Sequence, residues 1–238
     1  MKSIYIILCL ALLFFACAKK EEINTTVTGN IKGLKKGVLY LEKIEDSLMT
    51  TIDSLVMNGV EDFSFSMNLQ SPEMLYLFLR KTDGLPIEDG IAFFAEPGAI
   101  VINTTLKNFE GNAQINGSKN HDKFADYQKL MQRYNDKNLE LFAENFQADK
   151  EGNEAKKIEI NKNYEALIKS KYMATINFAI NHNEYEVAPY LALSEIYDAN
   201  IKYLDTIFNK LTPNVKESIY GKQLEKYIKE RRSLEKNE

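Results

Sequence analysis

Phe63-Ser64-Phe65-Ser66-Met67-Asn68 alternates apolar and polar residues at every step. Successive side chains of a strand point to opposite faces, so Phe63, Phe65 and Met67 share one buried face. Just upstream, Asn58-Gly59 is a turn signal between two strands. Downstream, Leu75 to Leu79 is apolar on both faces, as expected of a central strand covered twice. From Ile23 to about Gly117 the same texture continues. Runs rich in Val, Ile, Thr, Tyr and Phe are separated by Gly, Asn and Pro. The candidate strands are 24–32, 37–44, 49–57, 62–69, 73–81, 90–95, 99–104 and 112–116. Eight strands without intervening helices predict an antiparallel β-sandwich or a partly open barrel.

From Asn120 onward the period becomes helical. Phe124, Tyr127, Met131 and Tyr134 recur at three and four, and Leu141, Phe142 and Phe146 continue the stripe. Lys150-Glu151-Gly152-Asn153 breaks the pattern before a second long helix marked by Tyr164, Ile168, Tyr172, Ile176 and Ile180. Shorter helices are expected at 187–198, 201–211 and 214–235, with Thr212 as N-cap and Pro213 in the first turn. The charged stretch from Glu225 to Glu238 reads as a frayed end. The fold class is therefore α+β, with a β domain over 23–118 and a helical region over 119–238 containing a long helical hairpin.

The start of the chain is built differently. Lys2 precedes an unbroken apolar run from Ile4 to Ala16, too short for a transmembrane helix of about 20 residues. Ala16-Cys17 at its end resembles a bacterial lipobox, although Phe14 and Phe15 stand where such motifs carry Leu and a small residue. The reading is a lipoprotein signal peptide over 1–16, with acyl chains such as palmitate on Cys17 and a tether over 17–22. More than one acyl chain is what makes such an anchor stable. The alternatives are an ordinary secretory signal cut near Ala16 or Ala18 and an uncleaved N-terminal anchor helix, which the shortness of the run disfavours. Lys20-Glu21-Glu22 resembles a lysine-plus-acidic-pair signal for export to the outer face of the outer membrane.

Composition narrows the function. The chain has 238 residues, 45% of them apolar, with 13 Phe and 13 Tyr, which suits a packed core rather than disorder. Loss of Lys2 with the signal takes the formal charge from −4 to −5, which argues against nucleic acid and against strong attraction to anionic lipid. Cys9 lies in the signal and Cys17 is the anchor, so the mature chain has no thiol for a disulfide, a metal or a redox pair.

Several short motifs recur in order: Gly29-Asn30-Ile31-Lys32-Gly33-Leu34, Gly37-Val38-Leu39-Tyr40-Leu41, Ile52-Asp53-Ser54 and Asn58-Gly59. Phe94-Ala95-Glu96-Pro97-Gly98 and Asn116-Gly117-Ser118-Lys119-Asn120 follow. This order is similar to the uncharacterised N-terminal domain, a domain of unknown function, of Gram-negative envelope lipoproteins that often carry a C-terminal thioredoxin-like module of the TlpA/ResA kind. The resemblance covers roughly 23–125 and extends loosely through Val187-Ala188-Pro189-Tyr190 and Ser218-Ile219-Tyr220-Gly221. The thioredoxin module of those relatives begins shortly after the region matching Gly221. Here one charged helix follows instead, so the redox chemistry has no cysteine pair to map onto.

The candidate site residues carry little chemistry. His121 and His182 are the only histidines and lack metal-ligand spacing. Gly29, Gly33 and Gly37 lack a P-loop ending and read as turn glycines. Asp53-Ser54 has no histidine in a recognisable motif and reads as a structural hydrogen bond. Glu88, Asp89 and Glu96 are the candidates for paired acids. Asp46-Ser47-Leu48, Asp53-Ser54-Leu55 and Asp205-Thr206-Ile207 resemble O-glycosylation acceptors, making Ser47, Ser54 and Thr206 candidate sites. Asn24, Asn103 and Asn116 open nominal sequons of little meaning in a bacterial lipoprotein. Tyr127, Tyr134, Tyr164, Tyr172 and Tyr185 are expected at a half-buried edge, where they would serve as interface anchors.

The expectation is a non-enzymatic, cofactor-free binding or interaction module of the cell envelope. It is held to the outer membrane by its lipid, is exposed at the surface (alternatively on the periplasmic face), and has a protein partner. The alternatives are an accessory to a separate thioredoxin-like protein and a glycan-binding or hydrolytic protein.

Overall fold

The computed structural model describes residues 22–45, 47–80 and 90–235. The eight strands are β1 (Thr25–Lys32), β2 (Lys36–Glu45), β3 (Leu48–Asn58), β4 (Asp62–Met67), β5 (Glu73–Arg80), β6 (Gly90–Ala95), β7 (Gly98–Thr105) and β8 (Gln114–Asn116). They form two four-stranded sheets, ordered β4-β1-β7-β8 and β3-β2-β5-β6, and neither closes on itself. The fold is α+β, an open β-sandwich followed by helices.

One pairing departs from the antiparallel expectation. β1 and β7 run parallel, from Thr25 opposite Gly98 to Lys32 opposite Thr105. β6 belongs to the second sheet and β7 to the first, so the chain changes sheets at Glu96-Pro97, with Gly98 at φ +137°. Gly29 matters here: a Cβ on it would lie 1.7 Å from the Ile102 carbonyl oxygen. It is a close-approach glycine in mid-strand, not a turn glycine, whereas Gly33 (φ +90°) does turn the chain.

Alternation builds the core between the sheets. Phe63, Phe65 and Met67 of β4 are buried there with Val27 and Ile31, facing Leu39, Leu41, Leu75, Leu77 and Leu79 across the sandwich. β5 and β6 are covered on their other face too, where Met74 and Phe94 meet the helices. The central-strand reading of Leu75 to Leu79 therefore holds.

The helices are α1 (Lys119–Glu151), α2 (Glu154–Asn181), α3 (Val187–Ser194), α4 (Ile201–Lys210), α5 (Pro213–Glu217) and α6 (Ile219–Glu235). Ser118 caps α1 by accepting the His121 N–H at 3.0 Å. Gly152 ends it in the left-handed region at φ +62°, and Asn153 caps α2 by accepting the Lys156 N–H. The hairpin is thus set by its own turn residues. Its antiparallel register shows in Tyr127–Thr175 (2.9 Å), Tyr134–Ser170 (3.5 Å) and the ion pair Asp149–Lys157 (2.9 Å).

Four helical expectations need correction. The outer part of the hairpin packs through Leu141, Ala148, Ile160 and Leu167, while Phe142 and Phe146 are exposed. Leu141 and Ala148 lie seven apart on one face, and Phe142 is one residue, about 100°, off that seam. Tyr127 and Tyr134 are buried rather than at an edge, and Tyr164 is exposed; only Tyr172 and Tyr185 are half-buried. The span 187–198 stops being helical at Ser194, and 214–235 divides at Ser218. There the Ser218 hydroxyl donates to the Val215 carbonyl and accepts the Gly221 N–H. The last helix is not frayed through Glu235. Leu224 and Ile228 are buried, and Arg231 donates to the Tyr197 and Ala199 carbonyls at 2.8 Å each.

Candidate functional site

The turn from β6 to β7 presents Glu96 to the start of α1. Its Oε1 accepts the Lys119 N–H at 2.9 Å and its Oε2 the Asn120 N–H at 3.1 Å. These are orphan donors of a first helical turn, and a carboxylate suits the positive end of the helix dipole. Asn120, only 3% exposed, extends the contact. Its Nδ2 donates to Glu96 Oε2 at 3.1 Å and to Glu186 Oε2 at 2.9 Å, and its Oδ1 accepts the Val187 N–H at 3.0 Å. One buried amide therefore joins the β half, α1 and the start of α3. Burial pushes the Glu186 carboxyl above its ordinary value; the Asn120 bond opposes this and the Glu96 charge adds to it.

Beside this junction is an aromatic box. Phe94 meets Tyr190 edge-on at 5.2 Å, and Phe124 and Tyr220 stand about the same pair at 5.2 to 6.0 Å. Tyr220 also accepts the Met74 N–H at 2.9 Å, and Ser71 accepts the Ile219 N–H at 3.2 Å. Burial raises the Tyr190 and Tyr220 hydroxyls far above their ordinary value, so both stay neutral.

Next to the box, sheet and helices part to leave a cleft of about 980 Å³. Tyr76, Tyr190, Tyr220 and Tyr227 line it with Lys43 and Glu73. Burial lifts the Glu73 carboxyl above its ordinary range, partly offset by the Lys43 charge. Lys43 is itself raised, chiefly by its bond to Glu45 at 2.7 Å. Lys226 and Glu230 form the exposed lip, 3.8 Å apart. Such a cleft offers aromatic faces, a neutralisable acid and cations of adjustable reach, which suits binding.

The residues singled out in the sequence do not converge on it. Cys17, Lys20 and Glu21 lie outside the described residues, as do Asp46, Glu88 and Asp89, while Glu22 is exposed. Ser47, in an exposed turn at φ +68°, and Ser54, on exposed β3, belong to the sheet half; Thr206 is exposed on α4 and donates to the Lys202 carbonyl. Asp53 accepts the N–H of Ser54, the structural bond expected of that pair. Asn24 is a clip rather than an open acceptor, donating to the Leu69 carbonyl and accepting its N–H.

The histidines sit at helix ends, but His121 is buried rather than solvated. Burial lowers its pKa, and its Nδ1 has no partner among the described residues. His182 stacks on Phe178 at 4.1 Å. Among the described residues no three His, Cys, Asp or Glu side chains are grouped to hold a metal, and no helix is long and apolar enough to cross a membrane.

Sequence reasoning missed the clustering of Glu96, Asn120, Glu186 and Tyr220. Glu96, Asn120 and Tyr220 each fall in one of the short motifs, whereas Glu186, one residue before Val187, lies outside them and carried no signal. Those motifs meet in space along one seam.

Comparison with curated proteins and with solved structures returns no match. Residues 25–124, the β half together with the first turns of α1 that close the seam, match a family model described as a domain of unknown function (DUF4369).

Proposed function

We propose that this chain is a lipid-anchored, non-catalytic binding module of the cell envelope, with the cleft between sheet and helices as its binding surface. The observation that carries this reading is the preformed, tyrosine-lined cavity of about 980 Å³ whose walls come from both halves. The Glu96–Asn120–Glu186 junction holds those halves in place. The lipoprotein leader, the anchor at Cys17 and placement in the outer membrane belong to the same proposal. So do surface display through Lys20-Glu21-Glu22 and kinship with the domain that precedes thioredoxin-like modules. They rest on the sequence.

The test is affinity purification from intact cells with the wild type and with the lip exchange Lys226→Glu/Glu230→Lys. That exchange keeps the net charge and touches no buried group. A partner held by the wild type and lost by the exchange supports the proposal; an identical set from both removes the cleft from it. Cys17→Ala should leave the membrane fraction, and its retention there would overturn the anchor.

A second reading, glycan binding, is favoured by Tyr76 and Tyr227, which line the cleft outside the packed aromatic box. Titration with envelope oligosaccharides, followed by tyrosine fluorescence, separates it from protein binding.

A further inference from the structure

Beyond that reading, which concerns the cleft, we propose that the outer end of the helical hairpin is a self-association surface that pairs with a second copy of this chain.

The apolar side chains of this end face outward. Leu139 is 66% exposed, Phe142 72%, Phe146 58% and Ile158 71%. Leu139, Phe142 and Phe146 are spaced at three and four, the pattern of a packing seam rather than of a solvated face. The seam that joins the two helices, through Leu141, Ala148, Ile160 and Leu167, is already filled. Stepping 100° per residue from it, Leu139, Phe142 and Phe146 cluster about 130° around α1. Tyr164, Ile168 and Tyr172 lie about 40–120° around α2. Because the helices are antiparallel, both sets fall on the same side of the hairpin.

Nearer the body of the protein the start of α4 borders this side, where Asn200 and Tyr203 line a pocket of about 410 Å³ together with Tyr164, Ile168, Tyr172 and Ile176. Beyond it the side runs along the outer 17 residues of α1, a length of about 25 Å, with the Lys150 ammonium 4.3 Å from the centre of the Phe146 ring.

A second copy suits this surface better than an anionic lipid layer. Residues 136–163 carry seven acidic and five basic side chains, a balance that gives anionic headgroups no net attraction but offers both signs for pairing with a second copy. A two-fold axis across the hairpins sets Phe142 of each copy opposite Phe146 of the other. That register brings Lys150 of one copy within a turn of Asp136 of the second, on the same edge of the helix, so the charges complement each other. The overlap involves only the outer turns of one helix from each copy, so the pair should be reversible.

Sedimentation velocity of the purified full chain from low to high micromolar concentration should show a monomer–dimer equilibrium. Phe142→Asp/Phe146→Asp should abolish it while leaving the thermal midpoint unchanged, since both rings are exposed in the monomer. Asp136→Lys and Lys150→Asp should each weaken the dimer, and the double exchange should restore it. A chain that stays monomeric throughout overturns the proposal, as does a dimer that survives the Phe142→Asp/Phe146→Asp change. A double exchange that fails to restore pairing overturns the antiparallel register.

Discussion

Replacing Asn120 by alanine removes the amide that ties three elements together, and its cost follows from the bonds it makes. Two of these, to Glu96 at 3.1 Å and Glu186 at 2.9 Å, are to carboxylates, and the third receives the Val187 N–H at 3.0 Å. A hydrogen bond to a charged group contributes about 1.5–3 kcal/mol, and a buried donor left without a partner costs about 1–3 kcal/mol. The terms overlap, because Glu96 keeps both backbone donors of α1. A loss of about 3 kcal/mol is therefore expected, a large share of the ~5–15 kcal/mol typical of a domain. At about 2–4 °C per kcal/mol for a chain of this size, the midpoint should fall by about 6–12 °C. Urea unfolding followed by circular dichroism, with a thermal scan at pH 7, measures both quantities. Asn120→Asp is the companion, because it keeps the shape but sets a third carboxylate between Glu96 and Glu186. Its folded pKa is raised, so the destabilisation is full at neutral pH and recedes as pH falls through that pKa. An Asn120→Ala midpoint within a degree of wild type would show that the junction does not hold the halves together.

Phe65→Ala should cost about 3–5 kcal/mol, because the ring is buried between the sheets; unchanged unfolding would refute that face assignment. Glu73→Gln should stabilise the protein at pH 7. Burial raises the folded pKa of Glu73 above its reference of 4.5, so the charged form penalises the fold above that pKa and the penalty fades as pH drops through it. Thermal midpoints against pH should therefore flatten in the variant, and an unaltered profile would remove Glu73 as a contributor. Gly29→Ala should prevent folding of the sandwich, given the 1.7 Å approach to the Ile102 carbonyl; a soluble variant with native circular dichroism would count against that packing.

The fold was legible where periodicity is local. Phe63, Phe65 and Met67 declare their face by alternation, and Gly152-Asn153 declares the hairpin turn by its own chemistry. The parallel pairing of β1 with β7 was not legible, since alternation fixes which way side chains point but not which strand lies alongside. Phe142 and Phe146 misled for a related reason. Helical spacing shows that a stripe exists, but not whether anything covers it. The junction was out of reach because Glu96 and Glu186 meet Asn120 across 24 and 66 residues of chain. Burial also shifts Glu73, whose charged neighbours Lys43 and Glu45 are distant in sequence, and no motif announces that.

The aromatic box has a bearing on where this protein can be cut. The matched family region ends at residue 124, inside α1, whereas Phe94 is enclosed by Tyr190 and Tyr220 from much further along the chain. A fragment trimmed at that border would carry Met74 and Phe94 on a bare sheet face, an invitation to aggregate. The matched unit of sequence and the unit of folding are therefore different objects. Any protein that joins this β half to another C-terminal segment has to supply its own roof for the same face.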